Sequence, residues 1–230
     1  MPGIIAHLTI ANKILQERPE LVCDVSAFYL GSVAPDTIES KIGCTRNDKK
    51  RVHLREEIKD VEWLNDEKMF LFKNRIRHFA DEIISKADRS QRDFNIGYLV
   101  HLLTDEWSYR TIRQTILRKA NAMNVLETDG ELFDMMSNDL EAMDYYLLNS
   151  NEDIAKILAR VLSQEPMNDL LGFIEKEYIK GSIQWWSNSY LVNIKQKTLK
   201  YLYETDISDF VDIAAQEILA EIKSLLISVF

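Results

Sequence analysis

Four histidines, His7, His53, His78 and His101, all lie within the first 101 residues of this 230-residue chain. Any imidazole chemistry must therefore be assembled from the N-terminal half. The sharpest local feature is His101-Leu102-Leu103-Thr104-Asp105, because positions i and i+4 project from one helix face and an imidazole and a carboxylate there could grip a single ion. Phe94, Gly97, Tyr98, His101, Thr104, Asp105 and Ser108 share a stripe, while Leu99, Val100, Leu102, Leu103 and Trp107 make the rest of that helix apolar. A helix so apolar is buried on most sides, where an unpaired carboxylate is strongly unfavourable. The plain alternative is a His–Asp hydrogen bond inside a core.

The remaining candidates are weaker one by one. His7 shares a face with Ile4, Ala11 and Ile14, so it points inward, and alone it reads as a core histidine with one hydrogen bond. Asp36 follows Pro35 in FYLGSVAPD, where Gly31 and Pro35 are expected to fix a turn that aims a carboxylate into a cavity, although loop aspartates usually serve the turn itself. His53 sits in the charged run KKRVHLREE and alone reads as an exposed histidine. His78 has Asn74, Arg75, Asp81 and Glu82 one turn away, which places it on a charged, solvated face with no expected role. Together, Asp36, His53, His101 and Asp105, with His7 of the right type to join, make an oxygen and nitrogen ligand set that suits zinc, manganese or iron. A site of this kind with an open position activates water.

The elements that must hold these residues are helical. Seven Gly and four Pro leave little for hairpins, and 46% hydrophobic residues can bury a full core, so an all-α, single-domain bundle over 1–230 is expected. The metal-site residues fall within 1–110, with 111–230 as scaffold or substrate wall. Helical spacing runs through Ile4, Leu8, Ala11 and Leu15, and again through Phe72, Ile76, Phe79 and Ile83. Residues 31–60 read as a long irregular connection with at most short helices, and long loops in compact domains are often functional. Further helices are expected over about 93–123 with a break near Trp107, then 130–148, 151–163, 166–178, 181–204 and 207–228. The turn at Asp129-Gly130 and the helix start at Pro166 punctuate them.

Composition also excludes. The formal charge of −9 leaves no basic surplus to displace phosphate counterions, so a nucleic-acid partner is not expected. Cys23 and Cys44, 21 residues apart with no C-x-x-C, read as free thiols. The N-terminus lacks a basic n-region and an unbroken apolar run, and no stretch approaches a membrane span, which together lead to a cytoplasmic expectation.

MPGIIAH at the start, FYLGSVAPD, a later lone histidine and GYLVHLLTDEW with its H-x-x-x-D resemble the zinc-dependent phospholipase C family, related more distantly to the P1-type nucleases. The resemblance covers roughly residues 1–110 and implies an all-helical bundle. It implies one zinc held by Asp36, His53, His101 and Asp105, and a neighbouring ion taking His7 with Asp105 bridging. The family's third zinc uses histidines after H-x-x-x-D, and here none follows His101.

The first functional expectation is therefore a metal-dependent phosphoesterase with one or two ions, manganese or iron being alternatives to zinc. It would hydrolyse a phospholipid or another small phosphoester through activated water, with Asp36 orienting that water or accepting its proton. Arg46, Lys49, Lys50 and Arg51 border the site and could receive a phosphate. Trp107, Tyr98 and Tyr109 are candidate walls, and Trp185-Trp186 is a candidate patch for peripheral membrane contact. Two alternatives stand beside it: a non-catalytic helical metal-binding or interaction protein, and a nucleotide phosphohydrolase of the His-Asp type.

Overall fold

The computed structural model of the chain describes residues 2–125, 130–164, 172–192 and 197–226. Among the described residues there is no β-strand, and the architecture is all-α. In chain order the helices are α1 (Ile4–Glu17), α2 (Val25–Gly31), α3 (Arg46–Val52), α4 (Asp66–Phe79), α5 (Arg89–Ser108), α6 (Gln114–Ala122), α7 (Gly130–Ser150), α8 (Glu152–Leu162), α9 (Lys176–Ser187) and α10 (Glu204–Leu225). No described helix is long and apolar enough to cross a membrane.

α5 is the central element. It begins where the Asp88 carboxylate accepts the Gln91 N–H at 3.0 Å, satisfying one orphan donor of the first turn. From Asp93 to Glu106 every side chain is buried, so α2, α10 and α1 pack around it on different sides. α2 approaches most closely: a Cβ on Gly31 would fall on the Phe94 carbonyl oxygen, and one on Gly97 on the Phe28 carbonyl oxygen. Two glycines thus let the backbones touch. Gly31 ends α2 instead of fixing the turn expected of it. α10 covers α1 with Ile207, Phe210, Val211, Ala214, Ile218 and Ile222, a single stripe at helical spacing.

The long connection between α2 and α3 holds a 3₁₀ helix, Ala34–Ser40, with Pro35 in its first turn, as the reading of short elements anticipated. Elsewhere the register differs from expectation. A π-turn at Ala80–Ile84 inserts one residue after α4, so Ile84 is buried where Ile83 was expected to be, and Ile83 is exposed. The break expected near Trp107 is a second π-turn, Tyr109–Arg113, between α5 and α6.

The C-terminal boundaries need two corrections. Asp129, Pro166 and the first part of the helix expected over 166–178 lie outside the described residues. The described part is turn through Gly172, whose φ is +70°, and helix starts only at Lys176. The helix expected over 181–204 is not one element: α9 runs through Gly181 and gives way to a π-turn at Asn188–Val192. Residues 200–202 are not helical, and their three N–H groups bond the Asp139 carboxylate of α7 at 3.1, 2.6 and 2.6 Å.

Candidate metal centre

Four elements converge below one cavity: α1 with His7, the 3₁₀ helix with Asp36, the end of α3 with His53, and α5 with His101 and Asp105. The close α2–α5 crossing puts the Ser32 carbonyl beside His101, whose Nδ1 lies 2.9 Å from that oxygen. His53 is the C-cap of α3. The helix closes in a Schellman arrangement, with Leu54 N–H donating to Arg51 at 3.1 Å and Arg55 N–H to Lys50 at 2.7 Å. Leu54 takes the left-handed position usually given to glycine, with φ of 54°, a strain of about 1–2 kcal/mol in a turn that fixes His53. His53 Nδ1 then lies 2.7 Å from the Lys49 carbonyl, and the Tyr98 hydroxyl donates to the carbonyl of Val52 next door. His53 is therefore buried, at 4% exposure, and the sequence reading of it as an exposed residue is corrected.

A carbonyl can only accept, so both Nδ1 atoms carry their hydrogen, and in the neutral rings both Nε2 atoms keep a lone pair. These two Nε2 atoms face each other at 3.2 Å. Asp36 Oδ1 lies 3.4 Å from His53 Nε2 and 3.8 Å from His101 Nε2, and Asp105 Oδ2 lies 3.7 Å from each. Donors around a tetrahedral ion at zinc–nitrogen distance are about 3.3 Å apart, so the Asp36, His53 and His101 donors, 3.2–3.8 Å from one another, are spaced for one ion.

On the other side of the same carboxylate, Asp105 Oδ1 is 3.6 Å from His7 Nε2, and the His7 ring stacks on His101 at 3.8 Å and 9°. His7, His101 and Asp105 form one group able to hold an ion, and Asp36, His53 and His101 another. Both Asp105 oxygens and both His7 nitrogens are buried without a hydrogen-bond partner. The His101–Asp105 pair, at 3.7 Å, is thus not the core hydrogen bond of the plain alternative. An unpaired buried carboxylate is strongly unfavourable, and a cation resolves that, whereas the adjacent Glu106 is already paired with Lys73 at 2.5 Å and Arg110 at 2.8 Å.

The protonation behaviour reflects burial and the mutual charges of the cluster. Burial pulls His7 well down, and it also lowers His101 against the pull of Asp36 and Asp105. Burial opposes charge on His53 too, but the hydrogen bond to Asp36 and the charges of Asp105 and Asp36 outweigh it and leave His53 raised. Burial raises Asp105. It would raise Asp36 as well, but the neighbouring imidazoles outweigh it and hold that carboxyl well below its usual range.

Only part of this cluster reaches the cavity, whose volume is about 1710 Å³. Asp36 and His53 line it, with the Asp36 side chain 23% exposed, while Asp105, His101 and His7 are sealed beneath. The opposite wall comes from α7 and the end of α9, through Phe133, Met136, Leu140, Trp185 and Trp186. Of that tryptophan pair Trp186 is buried and Trp185 is 59% exposed. Of the basic residues singled out earlier, Arg46, Lys49 and Lys50 line the cavity, Arg46 paired with Asp60 and Lys49 with Glu39. Arg51 instead lies over the Phe173 ring, 5.9 Å from its centre. Tyr109 lines the cavity, whereas Tyr98 is core and Trp107 packs against the core. His78 is exposed on α4, away from the cluster.

The sequence reading missed Asp144 of α7 and Tyr190, which line the cavity and hydrogen-bond each other at 2.7 Å. The signal was present: Asp144 stands in an apolar stripe between Leu140 and Leu147.

Fold and site define a class, an all-helical protein with a buried imidazole and carboxylate centre at the floor of a cavity. Residues 6–105 match the family model described as zinc dependent phospholipase C, a span that holds all five clustered residues. No curated protein and no solved structure matches the chain significantly. The family is zinc-dependent and the His/Asp groups can hold a metal ion, so the two observations together support a metal-dependent phosphoesterase.

Proposed function

We propose that the protein hydrolyses a phosphodiester of phospholipid type, with Asp36, His53, His101 and Asp105 holding one zinc ion and His7 with Asp105 a second. The observation that carries this reading is the pair of Nε2 lone pairs facing each other at 3.2 Å beside an Asp105 carboxylate that no donor satisfies. A divalent ion held by these residues would supply an acidified water and a Lewis acid for a phosphoryl oxygen. His53 and His101 would hold the ion as neutral imidazoles, oriented by the Lys49 and Ser32 carbonyls. Asp36, the carboxylate open to the cavity, orients the attacking water or accepts its proton. Lys50 and Arg46 line the cavity where a phosphoryl group would lie, and the α7 and α9 wall suits an apolar substrate portion.

The test is metal content per chain for wild type and Asp105→Ala, followed by hydrolysis of a phospholipid and of a generic phosphodiester with and without chelator. Zinc that disappears in the variant, with chelator-sensitive hydrolysis, supports the reading. A protein that takes up no metal after soaking removes it. A second reading, a metal-binding protein without turnover, is favoured by the lack of any histidine after His101, and metal uptake without hydrolysis would select it.

A further inference from the structure

α1 starts without a capping side chain, because its N-cap is Gly3. Its orphan N–H groups are satisfied from across the fold. Ile5 N–H donates to Asp144 Oδ2 at 3.4 Å and Ala6 N–H to Asp144 Oδ1 at 3.2 Å, although Asp144 is more than 130 residues away in the chain. The Tyr190 hydroxyl donates to Oδ2 at 2.7 Å and holds the carboxylate from the far side. Gly3 presses so close that a Cβ there would fall on the Asp144 carboxyl group. Asp144 is 2% exposed, so this contact is buried in the wall of the cavity. A carboxylate at the first turn also complements the positive end of the helix.

The residue after Ala6 is His7. No hydrogen bond of its own aims that ring, since both nitrogens lack partners, so the placement of α1 decides where Nε2 points. We infer that Asp144, braced by Tyr190, is a positioning residue that sets His7 against Asp105 by fixing the first turn of α1. This rests on the proposed second ion between His7 and Asp105. It couples the C-terminal helices to the ligand cluster through one buried carboxylate.

The experiment is a stepwise zinc titration against a competing chelator dye, repeated with cobalt to follow its visible absorption. It uses wild type, Asp144→Ala, Asp144→Asn and Tyr190→Phe, with far-ultraviolet circular dichroism on each. Wild type is expected to bind two equivalents. Asp144→Ala should weaken the second by about 10–100-fold, in the range seen when groups that orient a ligand are removed, and leave the first unchanged. Asp144→Asn keeps one acceptor oxygen and should restore part of the loss, and Tyr190→Phe should give a smaller weakening of the same equivalent. The inference is overturned if Asp144→Ala leaves the second equivalent intact, or if both equivalents weaken alike. It is also overturned if Asp144→Ala loses helicity while Tyr190→Phe binds as wild type does. Wild type binding one equivalent overturns this inference together with the second ion of the proposed function but leaves the first ion standing, whereas wild type binding none overturns the proposed function itself.

Discussion

Asp139 on α7 and Asp105 on α5 are both buried carboxylates, yet their surroundings are opposite. Asp139 accepts three backbone N–H groups from residues 200–202 and the Asn138 amide. Asp105 accepts none, and what faces its oxygens is three imidazole nitrogens at 3.6–3.7 Å. Asp93, which receives the N–H groups of Cys23 and Asp24 at 2.8 and 2.6 Å, belongs with Asp139. A buried acid supplied with donors is finished by folding, and one supplied only with lone pairs is left for a cation.

The largest expected effect separates the two acids directly. Asp105→Ala should abolish binding of both ions while Asp139→Ala leaves metal content unchanged, as elemental analysis of the two proteins would read. If Asp139→Ala also lost the metal, the two sites would not be independent. Next in size is stability. Asp139→Ala strands three N–H groups and should destabilise by roughly 3–5 kcal/mol in denaturant unfolding.

Asp144 provides an intermediate case with a pH signature. Burial raises its carboxyl from 3.8 to about 7 despite the Tyr190 and backbone hydrogen bonds. A raised folded-state value means that its contribution to stability is fully present below pH 4 and is lost as pH rises through 7. The loss is on the order of 4 kcal/mol if the displacement is complete. Asp144→Asn should flatten the fall in unfolding free energy between about pH 4 and 7 seen in the chelator-treated wild type. Equal slopes would show that Asp144 does not titrate there.

Zinc affinity gives a gentler dependence. Against burial, the hydrogen bond to Asp36 raises His53, so a proton competes for Nε2, and affinity should fall by up to about tenfold for each unit as pH drops from 7 to 5. Competition titrations at several pH values check this, and a flat profile would remove His53 from the shell. The smallest effect is His78→Ala, on an exposed face, expected within about 0.5 kcal/mol and without change in metal content.

Much of this contrast was legible before the structure. The i,i+4 spacing of His101 and Asp105 places both on one face of any helix, and the apolar residues around them announce burial. His53 was not legible alone, because its burial depends on Leu54 adopting a left-handed turn and on Tyr98 reaching Val52 from another helix. Ile83 and Ile84 exchanged places because a π-turn adds a residue that no local pattern marks. Asp144 was overlooked because its partners, the first turn of α1 and Tyr190, are far away in the chain.

Residues close in the chain therefore determined the helical class, the central helix and the chemical types of the candidate ligand set, since a helix closes its hydrogen bonds within four residues and its faces follow from spacing. Tertiary structure alone decided that five side chains from four elements meet, which of them face the cavity, and which buried acids keep a partner. Those outcomes rest on close approaches such as that of Gly31 and Gly97, where the absence of two side chains lets distant backbones touch and so places the Ser32 carbonyl beside His101.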